Sequence, residues 1–338
     1  MIGIPEYSKE IFTEEDFLRH YEEQTPFVIR KAIDWTKDPG FLPENLLATL
    51  GQQNAQEGGV WFELGMDSPF SKQHPWPDWM RSLFTHSSIA MRPRPIRVWI
   101  QKGGTRTPMH YDSHFLQGLN LTVVGRKHWI MAPPQDAIPA APFTSVSTIN
   151  SWTREDLSNR GIPSAEVVVE SGDFIFVPQH WWHQVETTDD SVNYNLVWTD
   201  RRLIESKNPV TQREKELVVL KWALVQRLAR IPGFRDHPKL SAMRSHLLQF
   251  GCLQEGEAIR IFSSKMGRRR IVARFSNDLL SFRHLTRMVR SIQDIRRESK
   301  VPRNPYDYFQ RAGKMGLRGD EGNQLIDRSK RHQIRSIR

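Results

Sequence analysis

Between residues 96 and 198 the chain is cut into short runs whose side chains alternate or are wholly apolar, with turn residues between them. Ile96-Arg97-Val98-Trp99-Ile100 alternates, and Gly103-Gly104 supplies a turn. Leu119-Asn120-Leu121-Thr122-Val123-Val124 follows, stopped by Gly125, and then His128-Trp129-Ile130-Met131. Residues 132–165 are rich in Pro and Ser and read as an excursion or lid, after which Glu166-Val167-Val168-Val169-Glu170 resumes the pattern. Gly172-Asp173 is expected to make a hairpin turn into Phe174-Ile175-Phe176-Val177, and residues 191–198 form a closing strand. Many short strands separated by turn signals argue for a β-sandwich or barrel.

Within this region His110 and Asp112 stand two residues apart, so on a strand both side chains leave the same face. A second strand or its following turn can bring a distant histidine onto that face, and Pro178-Gln179-His180-Trp181-Trp182-His183 offers one. Two imidazoles and a carboxylate on one side of a metal make the facial triad of non-haem Fe(II) oxygenases. A lone His-x-Asp is common and by itself usually means nothing. Its company decides the matter.

That company is ordered along the chain. Thr107-Pro108 precedes His110; Gly125-Arg126-Lys127-His128-Trp129 leads to Pro133-Pro134; Gly172-Asp173-Phe174-Ile175-Phe176-Val177-Pro178 precedes Trp181-Trp182-His183. The set resembles the JmjC-like cupin family of Fe(II)- and 2-oxoglutarate-dependent hydroxylases, over about residues 92–200, with looser similarity across 1–91. The resemblance implies a mostly β core, a double-stranded β-helix of the jelly-roll (cupin) kind. With the shifts in pattern it divides the chain into N-terminal α/β elements at 1–91, a catalytic core at 92–204, a helical extension at 205–264 and a basic region at 265–338.

The resemblance also implies roles. His110, Asp112 and His183 would ligate Fe(II), leaving positions for 2-oxoglutarate and dioxygen. Lys127 stands where the family places the cation for the distal carboxylate of 2-oxoglutarate, and Thr107 where it places a hydroxyl partner. Asn193 matches an amide of the closing strand; Asn195 shares its face, and the choice between them stays open. There is one departure. Many relatives carry Asn seven residues before the glycine of this motif, where this chain has Gly118; Asn120 shares its strand parity and is expected to substitute. The remaining residues of the region have duller readings. Tyr111 should face away from the ligands into the core, Trp181 and Trp182 should pack the turn with one of them free to face substrate, His128 should be structural, and His114 and His180 should be pocket-lining, outer-shell or surface groups.

Outside the β region the chain is helical or mixed. Thr13-Glu14-Glu15-Asp16 reads as a helix start, and residues 26–30 and 60–64 as strands. Residues 43–50 and 77–84 read as short helices. Residues 212–231 are helical, with Leu217, Leu220, Ala223, Leu224, Leu228 and Ile231 as the apolar stripe. A homodimer through such helices is carried over from the family.

Composition narrows the classes. No run of eighteen apolar residues exists, so no membrane span is expected, and the first residues lack a secretory signal's basic start and apolar core. A single cysteine, Cys252, excludes an internal disulfide and suits a cytoplasmic protein. Residues 251–338 hold 21 Lys and Arg against 9 Asp and Glu, while residues 1–250 hold 27 against 29. The basic excess therefore sits at the C-terminus, as a solvated face or as a contact for nucleic acid or an acidic partner.

Three functions follow. The first is an Fe(II)- and 2-oxoglutarate-dependent dioxygenase hydroxylating an unactivated C–H bond of a protein side chain or amino-acid-like substrate. The second is an oxygenase of a tRNA base or methyl-lysine, to which the basic C-terminus gives weight. The third is a non-catalytic metal-binding cupin, which would have no need of Lys127 and Thr107 as a carboxylate clamp.

Overall fold

The computed structural model describes residues 2–33, 59–64, 91–93, 96–101, 103–113, 115–135, 137–140, 145–149, 151–200, 203 and 208–230. The helices expected at 43–50 and 77–84, together with His114, Cys252 and the basic clusters beyond 265, lie outside them.

The described strands run β1 (Glu6–Ser8), β2 (Phe27–Arg30), β3 (Gly59–Leu64), β4 (Met91–Pro93), β5 (Ile96–Gln101), β6 (Thr105–His110), β7 (Leu116–Val124), β8 (Lys127–Ala132), β9 (Ala165–Val169), β10 (Phe174–Val177), β11 (Trp182–Thr187) and β12 (Ser191–Asp200). They form two sheets. The larger has the order β1-β2-β10-β7-β12-β5-β3, with β4 also paired to β12, and the smaller has the order β6-β11-β8-β9. Every pairing is antiparallel except β1 with β2. The mostly β architecture is that of a cupin-like β-sandwich.

Period-two alternation assigns the faces. Leu119, Leu121, Phe174, Phe176, Tyr194 and Trp198 line the outer face of the larger sheet, where Phe17 and Tyr21 cover them. Those two belong to helix α1 (Glu14–Glu23), which the expected capping box starts: Thr13 Oγ1 accepts from Asp16 N, and Asp16 accepts from Thr13 N. The opposite face meets the smaller sheet, with Ile175 and Val177 packed on Trp129, Met131, Val167 and Val185. The outer face of the smaller sheet, with Met109, Tyr111, Ile130 and Trp182, is covered by Ile138, Trp152, Leu157 and Ile162. The described part of the excursion at 132–165 is thus a packed layer, and it includes helix α2 (Arg154–Asn159). Trp152 ties it down, its N–H donating to Gln184 Oε1 (2.9 Å) and its indole to Ser147 Oγ (3.0 Å).

Two expectations need correction. Gly172-Asp173 does not turn a hairpin: β9 pairs with β8 in the smaller sheet, and β10 with β2 and β7 in the larger. The turn carries the chain from one sheet to the other. Alternation identifies both strands, but it says nothing about which sheet each joins. The buried Asp173 fixes this corner by accepting from Arg30 Nη1 (2.6 Å), Lys31 N (2.9 Å) and Glu170 N (2.9 Å). Asp173→Ala strands the Lys31 and Glu170 N–H groups, while Arg30 keeps Glu6 and the Val168 carbonyl, so we expect it to cost about 2–4 kcal/mol in urea unfolding.

The second correction concerns the helix after the sheets, α3 (Pro209–Leu228), which starts earlier than expected and is capped by Asn208 through Val210 N (2.9 Å). Leu217 and Ala223 are buried as expected, but Leu220 is only half-buried, and the side chains of Leu224, Leu228 and Ile231 lie outside the described residues. The buried face instead includes Thr211, Glu214, Val218, Trp222 and Val225. Two of these are polar, which an apolar-stripe reading passes over. Among the described residues no helix is long and apolar enough to cross a membrane.

Candidate metal centre

The centre lies between the sheets, at one end of β6 and β11. His110 and His183 face each other directly across the β6–β11 ladder, their ring centroids 4.2 Å apart. Two residues along β11, Val185 opposes Thr107 rather than residue 108, so β6 carries one extra residue between Thr107 and His110. Pro108 sits in this bulge, where its missing N–H leaves no ladder bond unmade. The bulge puts Thr105, Thr107 and His110 on one face despite their uneven spacing. Asp112 follows the end of β6, and its carboxylate joins the two imidazoles: one ligand atom from each of His110, Asp112 and His183 lies within 4.8 Å of the others. Imidazole and carboxylate together suit a divalent first-row metal, and these three residues can hold one.

The rings are oriented for that purpose. Nδ1 of His110 lies 2.8 Å from the Pro108 carbonyl, and Nδ1 of His183 2.9 Å from the Trp181 carbonyl. A carbonyl only accepts, so each Nδ1 carries the proton and each Nε2 keeps its lone pair. Burial pushes the His110 pKa down to about 3, with the neighbouring His183 adding to it and Asp112 opposing it. His110 therefore stays neutral, the form a metal needs.

Further along the same inner face of the smaller sheet lies Lys127, on β8 and buried. Its row in the smaller sheet is Thr105–Thr187–Lys127, four residues along β11 from the His110–His183 row, about 13 Å at strand rise. The ammonium crosses to the larger sheet and donates to Gln101 Oε1 (2.5 Å) and Asn193 Oδ1. Both partners are neutral amides, and no carboxylate pairs with it among the described residues. Burial alone pushes its pKa down to about 7. This is an uncompensated cation in a polar pocket, the setting that a ligand carboxylate would complete.

Asn193 and Asn195 project from β12 on the face toward Lys127, with Asn193 Nδ2 donating to Asn195 Oδ1 (2.5 Å). Asn120 lies across the ladder from Asn195, whose amide also approaches the Trp99 indole nitrogen at 3.2 Å. Both asparagines of β12 thus belong to one cluster with Asn120. At Gly118 a Cβ would meet the Leu196 carbonyl oxygen at 2.7 Å and Val197 Cγ1 at 2.9 Å, so no asparagine fits there. The close approach of β7 to β12 explains the departure at that position. Thr107, half-buried, lies in the row between Lys127 and the histidines.

Gln101 and Trp99 join this cluster without a motif that marks them. Their shared parity at the end of β5 was the available signal, but an alternating strand shows no preference for which face turns inward. Tyr111, Trp181 and Trp182 are buried as expected, and His128 pairs with Glu166 at 2.5 Å. His180 is wholly buried, which removes the surface role considered for it.

Comparison with known proteins agrees with this arrangement. Residues 65–202 match the family model of the cupin-like domain. Human HSPB1-associated protein 1 is 35% identical over 104 residues, which is 27% of this chain and 21% of the relative. The human 2-oxoglutarate and iron-dependent oxygenase JMJD4 is 29% identical over 110 residues, 30% of this chain and 26% of the relative. The matched stretch thus spans between a fifth and about a quarter of these relatives' length. The stretch that matches, residues 65–202, carries the His-Asp-His cluster and most strands of the two sheets, and in both it is similar to the cupin-like domain.

Proposed function

We propose that the chain is an Fe(II)- and 2-oxoglutarate-dependent oxygenase that hydroxylates a protein side chain or an amino-acid-like substrate. The observation that carries this is the pairing of two features on one inner face of the smaller sheet, the His110–Asp112–His183 cluster and the buried Lys127 without an anionic partner among the described residues. A metal site alone would fit a binding cupin. A buried cation further along that face fits a dicarboxylate that reaches both.

In this reading the two sheets are the halves of a double-stranded β-helix. His110 and His183 through Nε2, and Asp112 through a carboxylate oxygen, would hold Fe(II), and Lys127 would hold the distal carboxylate of 2-oxoglutarate, with Thr107, Asn120 and Asn193 lining the cosubstrate. The bound iron and 2-oxoglutarate supply the oxidising chemistry: dioxygen is consumed, the cosubstrate leaves as succinate and carbon dioxide, and a substrate C–H becomes C–OH. The chain's own share is to present neutral imidazoles, to orient the dicarboxylate and to keep water from the pocket with Trp129, Met131 and Val185. The name of the JMJD4 relatives supports the cofactors. The name HSPB1-associated protein 1, a protein association in that relative, favours a protein substrate or partner here.

The test is anaerobic addition of Fe(II) and 2-oxoglutarate, watched for the metal-to-cosubstrate charge-transfer band, followed by succinate measurement on admitting air. A band followed by succinate supports the oxygenase. A folded, iron-loaded protein giving neither is a binding cupin.

A further inference from the structure

We infer that helix α3 braces the metal centre, with Thr211 and Glu214 acting as positioning residues that set metal affinity through His180 and Tyr111. The inference rests on the metal site proposed above and extends it to residues that touch no ligand.

The candidate ligands come from two segments, 110–112 and the turn 178–183. The helix holds one residue of each. Tyr111, between His110 and Asp112, donates its hydroxyl proton to Glu214 Oε2 (3.1 Å) and accepts from Arg213 Nη1 (3.0 Å). His180, three residues before His183, bonds through Nδ1 to Thr211 Oγ1 (3.0 Å). The two held rings then meet edge to face, their centroids 5.2 Å apart. Thr211 and Glu214 are one helical turn apart, so a single face of α3 fixes the spacing between the segments.

The backbone shows why the turn needs holding. His180 has φ 60°, in the left-handed region. For a residue with a side chain this costs on the order of 1–3 kcal/mol and persists only where the surroundings impose it. They do so from the C-cap of α1 and from α3. Gln24 Oε1 accepts from Gln179 N (3.1 Å), and the Gln24 carbonyl accepts from the Trp181 indole (2.8 Å). Thr211 secures the ring between these contacts. Nε2 of His180 is buried with no hydrogen-bond partner among the described residues, so the ring's polar anchorage is at Nδ1, with Gln179 Nε2 more distant at 3.4 Å. A helix that served only to cover the sheet would place apolar side chains at 211 and 214. A buried hydroxyl and carboxyl cost desolvation, and here both are aimed at residues that neighbour the ligands.

Groups bonded directly to metal ligands typically account for 10- to 100-fold in affinity; Thr211 and Glu214 act one residue further out, so the lower end is expected. The test is Co(II) titration of the metal-free protein, followed by its visible ligand-field absorption, beside the melting temperature of each metal-free variant. Thr211→Val keeps the shape and removes the hydroxyl; we expect it to weaken Co(II) binding about 10-fold and to alter the band, with Thr211→Ser restoring both. Glu214→Leu is expected to act likewise, and Glu214→Gln, which keeps an acceptor oxygen, to act less. Should Glu214→Leu not fold, the Thr211 pair decides alone. Unchanged Co(II) affinity and spectrum in Thr211→Val, with only a lowered melting temperature, makes α3 a cover and overturns the brace. If the unaltered protein binds no Co(II), it is the metal site itself that falls.

Discussion

Replacing Asp112 with alanine is expected to abolish Fe(II) binding and succinate formation while the fold persists. Asp112 is the one carboxylate of the cluster, and without it two neutral imidazoles would face an uncompensated divalent charge. A pair of unit charges 4 Å apart is worth about 4 kcal/mol at an effective dielectric of 20, and a bonded divalent ion exceeds that. Affinity should therefore fall by at least ~10³-fold. Raising the pH should not restore it. His110 is already held down to about 3 by burial and His183, and Asp112 pulls it upward, so removing Asp112 leaves the ring neutral throughout the working range. Asp112 follows the end of β6 and belongs to none of the three apolar clusters, so thermal melting should change little. The check is an anaerobic Fe(II) titration beside a circular-dichroism melt. Retained affinity in a folded Asp112→Ala protein would mean that this carboxylate is not a ligand.

What could be read in advance follows the range of each signal. The His110–Asp112 pair and the histidine after Pro178 were legible because each is a local pattern, and local patterns survive folding. The faces of β7 and β12 were legible for the same reason, since alternation carries Asn120, Asn193 and Asn195 to one side. The bulge at Pro108 was not. Nothing in Thr107-Pro108-Met109-His110 states that one residue will be skipped, yet the skip is what aligns Thr107 with His110. The corner at Gly172-Asp173 has the local pattern of a hairpin, and the partners that decide otherwise, Arg30 and Lys31, lie about 140 residues away. Thr211 and Glu214 carry no local signal, because helical periodicity marks apolar residues and these two buried positions are polar. Gly118 shows the opposite: a departure noticed in sequence acquired its reason only when β12 was seen against it.

Lys127→Met should make the ligand-free protein more stable and unable to hold 2-oxoglutarate, two effects that a structural lysine would not combine. Burial brings the ammonium down to about 7 from an ordinary value of 10.5. Between those two values the unfolded chain binds more protons at this site than the folded one does, so stability rises with pH across that window. Below about pH 7 both states are protonated and the cost of burying the charge is fully present; it is on the order of a few kcal/mol. Methionine, apolar and of similar reach, removes that cost. The expected result is a higher melting temperature at pH 7 and a shallower rise toward pH 10 than in the unaltered protein. On the ligand side, loss of one partner of a buried, hydrogen-bonded charge pair costs about 2–5 kcal/mol, or roughly 30- to 5000-fold in 2-oxoglutarate affinity. In the unaltered protein that affinity should itself decline as pH rises past about 7, because binding must then return a proton to Lys127. Calorimetric titration of 2-oxoglutarate into the metal-loaded protein under argon, at pH 6.5 and 8.5, reads both the loss and the proton uptake. A Lys127→Met protein that melts lower and still binds the cosubstrate would make Lys127 a tie between Gln101 and Asn193 and leave the distal carboxylate without its cation.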